Sequence, residues 1–194
     1  MYPLAFTYDL DSEAADADQV VVIGNGVFVG NGFPEGDGYY GLTNNRANID
    51  LIMETLYPGD AMQVEGPICW SSDFNTRTPE RWKTNMDFLT YLQTTHPTKL
   101  VDAHNTEGGS NDEASRFYYA SMMLIYTPNL IIGYSGLTYF TTSPNNPYRT
   151  YTNIGIGSPL DTVTQVGFEY VRHYTLATVS VNPTTHVATI TPNP

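Results

Sequence analysis

Acidic, amide and aromatic side chains recur at the ends of short apolar runs in this sequence. The residues that share this placement are Asn31, Asp37, Glu65, Trp70, Asp102, His104, Asn105 and Tyr134. Two carboxylates held about 5 to 10 Å apart can cleave a glycosidic bond, one as proton donor and the other as nucleophile or base. Aromatic faces and amides suit sugar rings and hydroxyls. This combination favours a carbohydrate site in which Glu65 and Asp102 are the catalytic pair and the other six residues bind substrate.

Apolar periodicity predicts the elements that would position these residues. The β-branched stretch over residues 20–30 predicts a strand with a glycine bulge or kink. Ile49, Ile52, Met53 and Leu56 follow the i, i+3, i+4, i+7 spacing of one helix face. The run "AMQVE", which ends at Glu65, is then a short buried strand.

Two more helices and two more strands follow. Thr78 suits an N-cap and Pro79 the first helical position of the next helix, which His96-Pro97 would end. "KLVDAHN" predicts a strand, and Ser110 with Glu113 has capping-box spacing before a third helix. "LIIGY" predicts the last strand of this series.

The order of these elements predicts an α/β fold. Strands that alternate with helices imply right-handed βαβ crossovers and a parallel sheet, here over residues 20–135. Residues 136–194 are predicted as a loop and an antiparallel β-hairpin with its turn near Asn182-Pro183, within a single domain of residues 1–194. Because βα loops converge at the carboxyl ends of parallel strands, the polar residues above would meet there.

Composition argues against several classes of partner. Eight basic residues against 20 acidic ones, with a formal charge of −12, disfavour nucleic acid and anionic membrane surfaces. No apolar run approaches the roughly 20 residues of a membrane helix, and the N-terminus lacks the pattern of a signal peptide. Cys69 is the only cysteine, and no metal-ligand or cofactor motif is present, so we expect no metal and no cofactor. The polar, tyrosine-rich composition favours an extracellular or cell-surface location.

Each candidate residue also has an ordinary structural explanation. Glu65 could be a solvated strand-end carboxylate or the partner of a buried arginine. Asp102 could cap the following loop, and His104 could be a hydrogen-bonded loop histidine. A further alternative is an unrelated α/β enzyme in which Asp102 and His104, two residues apart on one strand and so on the same side, act as an acid–base pair.

Three motifs lie near the C-terminus: Ile-Gly-Ser-Pro-Leu at 156–160, Tyr170-x-Arg172-x-Tyr174, and Val-x-Val-Asn-Pro at 179–183. Together they resemble the end of glycoside hydrolases with a (β/α)8 barrel. The segments "GVFVGNGF", "MQVEG" and "ASRFYYASMMLIY" fall in the order of the later strands and helices of such a barrel, so the resemblance runs from about Val20 to the C-terminus. It implies parallel βα units like the C-terminal half of a TIM barrel. A whole barrel takes about 250 residues, so we expect either a missing N-terminal half or a homo-oligomer.

One position departs from the family pattern. Related barrels read Gly-Val-Phe-x-Asp-Asn where this chain has "GVFVGN", so Gly30 replaces the expected aspartate and Asn31 matches the next position. Glu65 matches the family's other acidic position. The resemblance implies a glycoside hydrolase-like protein that hydrolyses or binds a carbohydrate. The alternative is a non-catalytic carbohydrate-binding or self-assembling structural protein built on the same scaffold.

Overall fold

The computed structural model describes residues 6–9, 19–23, 27–30, 46–56, 61–65, 68, 78–105, 112–134 and 155–194. Contacts divide the chain into two compact units. The first comprises Met1–Pro67, Asp87–His104 and Thr127–Gly133, and the second comprises Ile68–Met86, Asn105–Tyr126 and Tyr134–Pro194. The single domain over residues 1–194 stays a prediction.

The first unit begins with a three-stranded antiparallel sheet. Its strands are β1 (Phe6–Asp9), β2 (Gln19–Ile23) and β3 (Val27–Gly30), in the order β1-β2-β3. The prediction of one kinked strand over residues 20–30 is therefore wrong, because β2 and β3 pair with each other, with Val21 opposite Val29. The residues between them in the sequence, Gly24-Asn25-Gly26, are the types that favour a tight hairpin turn.

A parallel sheet follows, with helices between its strands. The elements are α1 (Arg46–Thr55), β4 (Ala61–Glu65), α2 (Pro79–Thr95), β5 (Leu100–Asn105), α3 (Asp112–Ile125) and β6 (Leu130–Tyr134). The sheet order is β4-β5-β6, and β4 runs parallel to β5. The predicted α/β class is confirmed, and so is a parallel sheet for the last three of the four predicted strands, whereas residues 20–30 belong to the antiparallel sheet.

The predicted helix faces are the buried ones. Ile49 and Met53 are buried on α1, and Leu56, directly after the helix, is buried as well. The buried apolar residues of α2 are Trp82, Met86, Phe88, Leu89 and Leu92, of which the first two belong to the second unit and the other three to the first. Thr78 is confirmed as the N-cap of α2, since its Oγ1 accepts a 3.3 Å hydrogen bond from the Arg81 amide. The proposed cap at Ser110 lies outside the described residues.

The second unit contains an antiparallel sheet at the C-terminus. Its strands are β7 (Thr164–Val166), β8 (Glu169–His173), β9 (Ala177–Asn182) and β10 (Val187–Pro192), in the order β10-β9-β8-β7. The predicted hairpin is confirmed as β9 and β10, and the sheet extends it by two strands. Alternate residues of β9 are buried, and α3 packs against β8, β9 and β10.

Residues of the aromatic-x-Arg-x-aromatic motif, Tyr170 to Tyr174, form hydrogen bonds between this sheet and α3. Arg172 is buried, and its Nη1 donates to the carbonyl oxygens of Met123, Leu124 and Tyr126. The Tyr174 hydroxyl also donates to the Met123 carbonyl. Because the last carbonyls of a helix lack partners within it, these donors stabilise the C-terminal end of α3.

Trp82 extends the same core. Its indole Nε1 donates a 2.9 Å hydrogen bond to Ser121 Oγ, and its ring lies 4.8 Å from that of Tyr170. Both contacts lie within the second unit. All three residues of the motif, from Tyr170 to Tyr174, thus make contacts that hold the fold together.

Candidate functional site

The parallel register brings two of the predicted site positions side by side. Glu65, the last residue of β4, is the register partner of His104 in β5, and Gln63 is the partner of Asp102. Because alternate residues of a strand lie on the same side of the sheet, these four positions share one face.

The opposite face of the same two strands is core. Met62 and Val64 pair with Val101 and Ala103 in the register, and all four side chains are buried. Apolar residues thus alternate with polar ones along both strands, which indicates that one face packs inside the unit while the other carries Glu65 and Asp102. The side chain of Asp102 is half-buried.

The remaining predicted site residues fall into two groups. Asn105 and Tyr134 are the last residues of β5 and β6, so both stand at carboxyl ends of parallel strands. Asn31, Asp37 and Trp70 lie outside the described residues. The roles assigned to all eight residues stay predictions.

Gly30 holds the position where the resemblance predicts an aspartate. It is the last residue of β3, and β3 contacts β4, the strand that ends at Glu65. A glycine has no side chain to bring a carboxylate to this place.

A polar cluster that sequence reasoning missed lies elsewhere in the first unit. The Tyr91 hydroxyl lies 2.7 and 2.6 Å from the two carboxylate oxygens of Asp50, and His96 Nε2 lies 2.8 Å from Asp50 Oδ1. His96 follows α2 and precedes β5, so the cluster is at the amino end of that strand. In parallel α/β folds this end contributes to stability rather than to chemistry. No local spacing could have revealed it, because Asp50 and Tyr91 are 41 residues apart.

A second missed pair joins Asp161 and His173 in the second unit. His173 Nδ1 lies 2.6 Å from Asp161 Oδ2, and the His173 amide donates a 2.9 Å hydrogen bond to Asp161 Oδ1. The side-chain hydrogen bond from His173, followed by the backbone one, lowers the pKa of the Asp161 carboxyl below its ordinary value. The side chains are 35% and 51% exposed, respectively. The pair attaches the segment around Asp161 to β8.

Burial is the largest of the effects that shift the pKa of Tyr174. It raises the pKa of the Tyr174 hydroxyl to about 12, against an opposing effect of the nearby Arg172 guanidinium. The neutral hydroxyl is therefore the form that donates to the α3 carbonyl.

Among the residues that the structure describes, no three His, Cys, Asp or Glu side chains come together as metal ligands. The described helices are too short or too polar to cross a membrane.

No protein-family model matches the chain. No curated protein matches it either. Function must therefore be argued from the residues and their placement.

Proposed function

We propose that the chain is a glycoside hydrolase-like protein that acts on or binds a carbohydrate at the carboxyl ends of its parallel strands. Glu65 is the proton donor and Asp102 the second carboxylate. The observation that carries the proposal is the register of β4 and β5, in which Glu65 pairs with His104 and Asp102 lies two residues earlier on the same face.

Strand geometry gives the two carboxylate positions a workable separation. With strands about 4.8 Å apart and a rise of about 3.3 Å per residue, the Cα atoms of Glu65 and Asp102 lie about 8 Å apart. Paired carboxylates of glycosidases stand about 5 to 9.5 Å apart, according to whether they retain or invert the anomeric configuration. That range refers to the carboxyl groups, and glutamate and aspartate side chains on Cα atoms about 8 Å apart are long enough to reach it.

The finer fold in the proposal is the C-terminal half of a (β/α)8 barrel. Its support is the strand order β4-β5-β6, in which each strand lies beside the one that precedes it in the chain. The strands of a barrel follow one another in this way around the whole sheet. On the other side β4 is contacted by β3, which belongs to the separate antiparallel sheet.

Sugar contacts are proposed for residues at or after the strand ends. They are Asn31, Asp37, Trp70, His104, Asn105 and Tyr134. Trp70 and Tyr134 would stack on sugar rings, and the others would exchange hydrogen bonds with hydroxyls. An extracellular or cell-surface location fits a carbohydrate partner.

Gly30 favours a second candidate function. A non-catalytic carbohydrate-binding protein would keep the scaffold and Glu65 but need no second acid beside it. The specific observation is that β3 contacts β4 and ends at a residue without a carboxylate.

Measuring catalytic turnover distinguishes the glycoside hydrolase from the non-catalytic binding protein. The wild type, Glu65→Gln and Asp102→Asn are assayed on a panel of aryl glycosides and polysaccharides, with Glu54→Gln on the exposed face of α1 as the matched control. For a hydrolase we expect Glu65→Gln to lose about 10²- to 10⁴-fold in kcat while Glu54→Gln stays at the wild-type rate. Equal background rates in all four proteins would exclude the hydrolase and favour the non-catalytic carbohydrate-binding protein.

A further inference from the structure

Among the residues that the structure describes, β7 is the outer strand at one side of the C-terminal sheet. This strand is outermost in the order β10-β9-β8-β7, and all three of its residues, Thr164–Val166, are exposed. An outer strand presents unpaired backbone N–H and C=O groups, which can accept another strand.

Apolar side chains flank this edge. Leu160 is 64% exposed, Val166 67% and Phe168 75%, and Val163 is exposed as well. All four lie within nine residues of chain in the second unit. Exposed apolar side chains concentrated beside an open strand indicate an association surface rather than scattered surface residues.

The edge also lacks the usual protection against pairing. Residues 163–168 read "VTQVGF", with no lysine, no proline and no charge. At the other side of the sheet, β10 ends at Pro192, which has no amide hydrogen to donate. Association through this sheet is therefore expected at β7 and not at β10.

We propose that β7 pairs antiparallel with β7 of a second copy of this chain. A two-fold axis at Gln165 would set that residue against its own copy and Thr164 against Val166 of the other. Such an interface is self-complementary by symmetry, so it needs no other partner. Val163, Val166 and Phe168 of both copies would cover it. The proposal stands independently of the carbohydrate site.

Local charge allows two copies to meet here. Asp161 is paired with His173, and Glu169 and the guanidinium of Arg172 are the other charged groups on β8. Repulsion between copies comes instead from the net charge of −12 over the whole chain, which salt screens over about 8 Å at physiological ionic strength. Dimerisation should therefore strengthen with salt.

The size of the surface sets the expected affinity. The four apolar side chains offer about 400 Å² per copy, roughly half of what a stable interface buries on each partner. We therefore expect a weak dimer, populated between about 10 μM and 1 mM.

Sedimentation velocity tests the proposal on the wild type, Val166→Lys and the matched control Val187→Lys. Val187 begins β10 and is 57% exposed, so it presents a similar valine on the other outer strand. We expect a concentration-dependent dimer that is stronger at about 0.5 M than at about 0.05 M salt. Val166→Lys should abolish it and Val187→Lys should not.

A wild type that stays monomeric at both salt concentrations would overturn the proposal. So would a dimer that survives Val166→Lys, or one that Val187→Lys weakens equally. Near-UV circular dichroism verifies that each variant is folded. If Val166→Lys is not, Val163→Lys introduces the same charge beside the strand and must give the same loss of dimer.

Discussion

Arg172 Nη1 donates a 2.9 Å hydrogen bond to the backbone carbonyl oxygen of Tyr126, the residue directly after α3. The same atom lies 3.1 Å from the Leu124 carbonyl oxygen and 3.3 Å from that of Met123. One buried guanidinium thus donates to three carbonyls at the end of a helix, while the backbone of Arg172 pairs with Val179 of β9. The contact joins α3 to the C-terminal sheet.

Replacing Arg172 with methionine should destabilise the fold strongly. Methionine keeps the apolar stem but leaves the buried carbonyls without a donor, so we expect a loss of about 2 to 4 kcal/mol in the free energy of unfolding. Urea unfolding followed by far-UV circular dichroism measures it. Lys83→Met, at an exposed cation on α2, is the control and should change the stability by less than about 0.5 kcal/mol. Equal midpoints for the two variants would contradict this role of Arg172.

The structural role of Arg172 indicates how the C-terminal motifs should be interpreted. Tyr170, Arg172 and Tyr174 carry the resemblance to barrel glycoside hydrolases, and in the structure they contact Trp82 and the end of α3. The resemblance therefore concerns the scaffold. Its chemistry depends on the strand ends, where Gly30 departs from the family and Glu65 does not.

Gly157 explains another of these motifs and gives a second prediction. Its φ is +77°, and an added Cβ would overlap Thr175 Oγ1, whereas Gly167 has φ +64° with open space around it. At Gly155 a Cβ would make an ordinary 3.9 Å contact with Leu176. Gly157→Ala should therefore cost more than Gly167→Ala, which should cost about 1 kcal/mol for the left-handed backbone alone.

Gly155→Ala is the matched control and should be neutral or slightly stabilising. Thermal unfolding of the three alanine variants gives the order directly. A Gly157→Ala protein as stable as Gly155→Ala would mean that the turn before β7 does not need a left-handed residue.

The Asp161–His173 pair predicts how stability changes with pH. Since the pKa of Asp161 is lowered in the folded state, its contribution is present above about pH 4 and is lost as the pH falls through the lower folded value. Because both side chains are partly exposed, the contribution should be below about 1 kcal/mol. Urea unfolding between about pH 7 and about pH 2.5 should show Asp161→Asn weaker than the wild type at neutral pH and equal to it in acid. If the difference in stability between Asp161→Asn and the wild type did not change with pH, titration of Asp161 would be excluded as its cause.

Local signals in the sequence were enough to predict most of the described helices and parallel strands. Thr78 and Pro79 mark the start of α2, and the apolar spacing of Ile49 and Met53 marks the buried face of α1. The split of residues 20–30 was missed because a glycine between β-branched residues suits a bulge as well as a turn. Only the tertiary structure could show the Asp50–Tyr91 contact.

The sequence predicted that candidate site residues lie at strand ends, but it could not predict how neighbouring strands align. Short apolar runs place Glu65 and His104 near the carboxyl ends of two strands, but the alignment of one strand with the other is not encoded locally. A slip of one residue would move every side chain of a strand to the other face. The observed register pairs Glu65 with His104 and so keeps both on the face of Asp102.

The most direct test of the proposed carbohydrate site is to map binding by backbone amide shifts in heteronuclear NMR, with the oligosaccharide that the protein retains best on a glycan array. We expect the largest shift changes at the carboxyl ends of β4 and β5, at Glu65, His104 and Asn105. Ser180, on β9 of the C-terminal sheet, should be unaffected. Retention of no glycan, or shift changes concentrated on the C-terminal sheet, would contradict it.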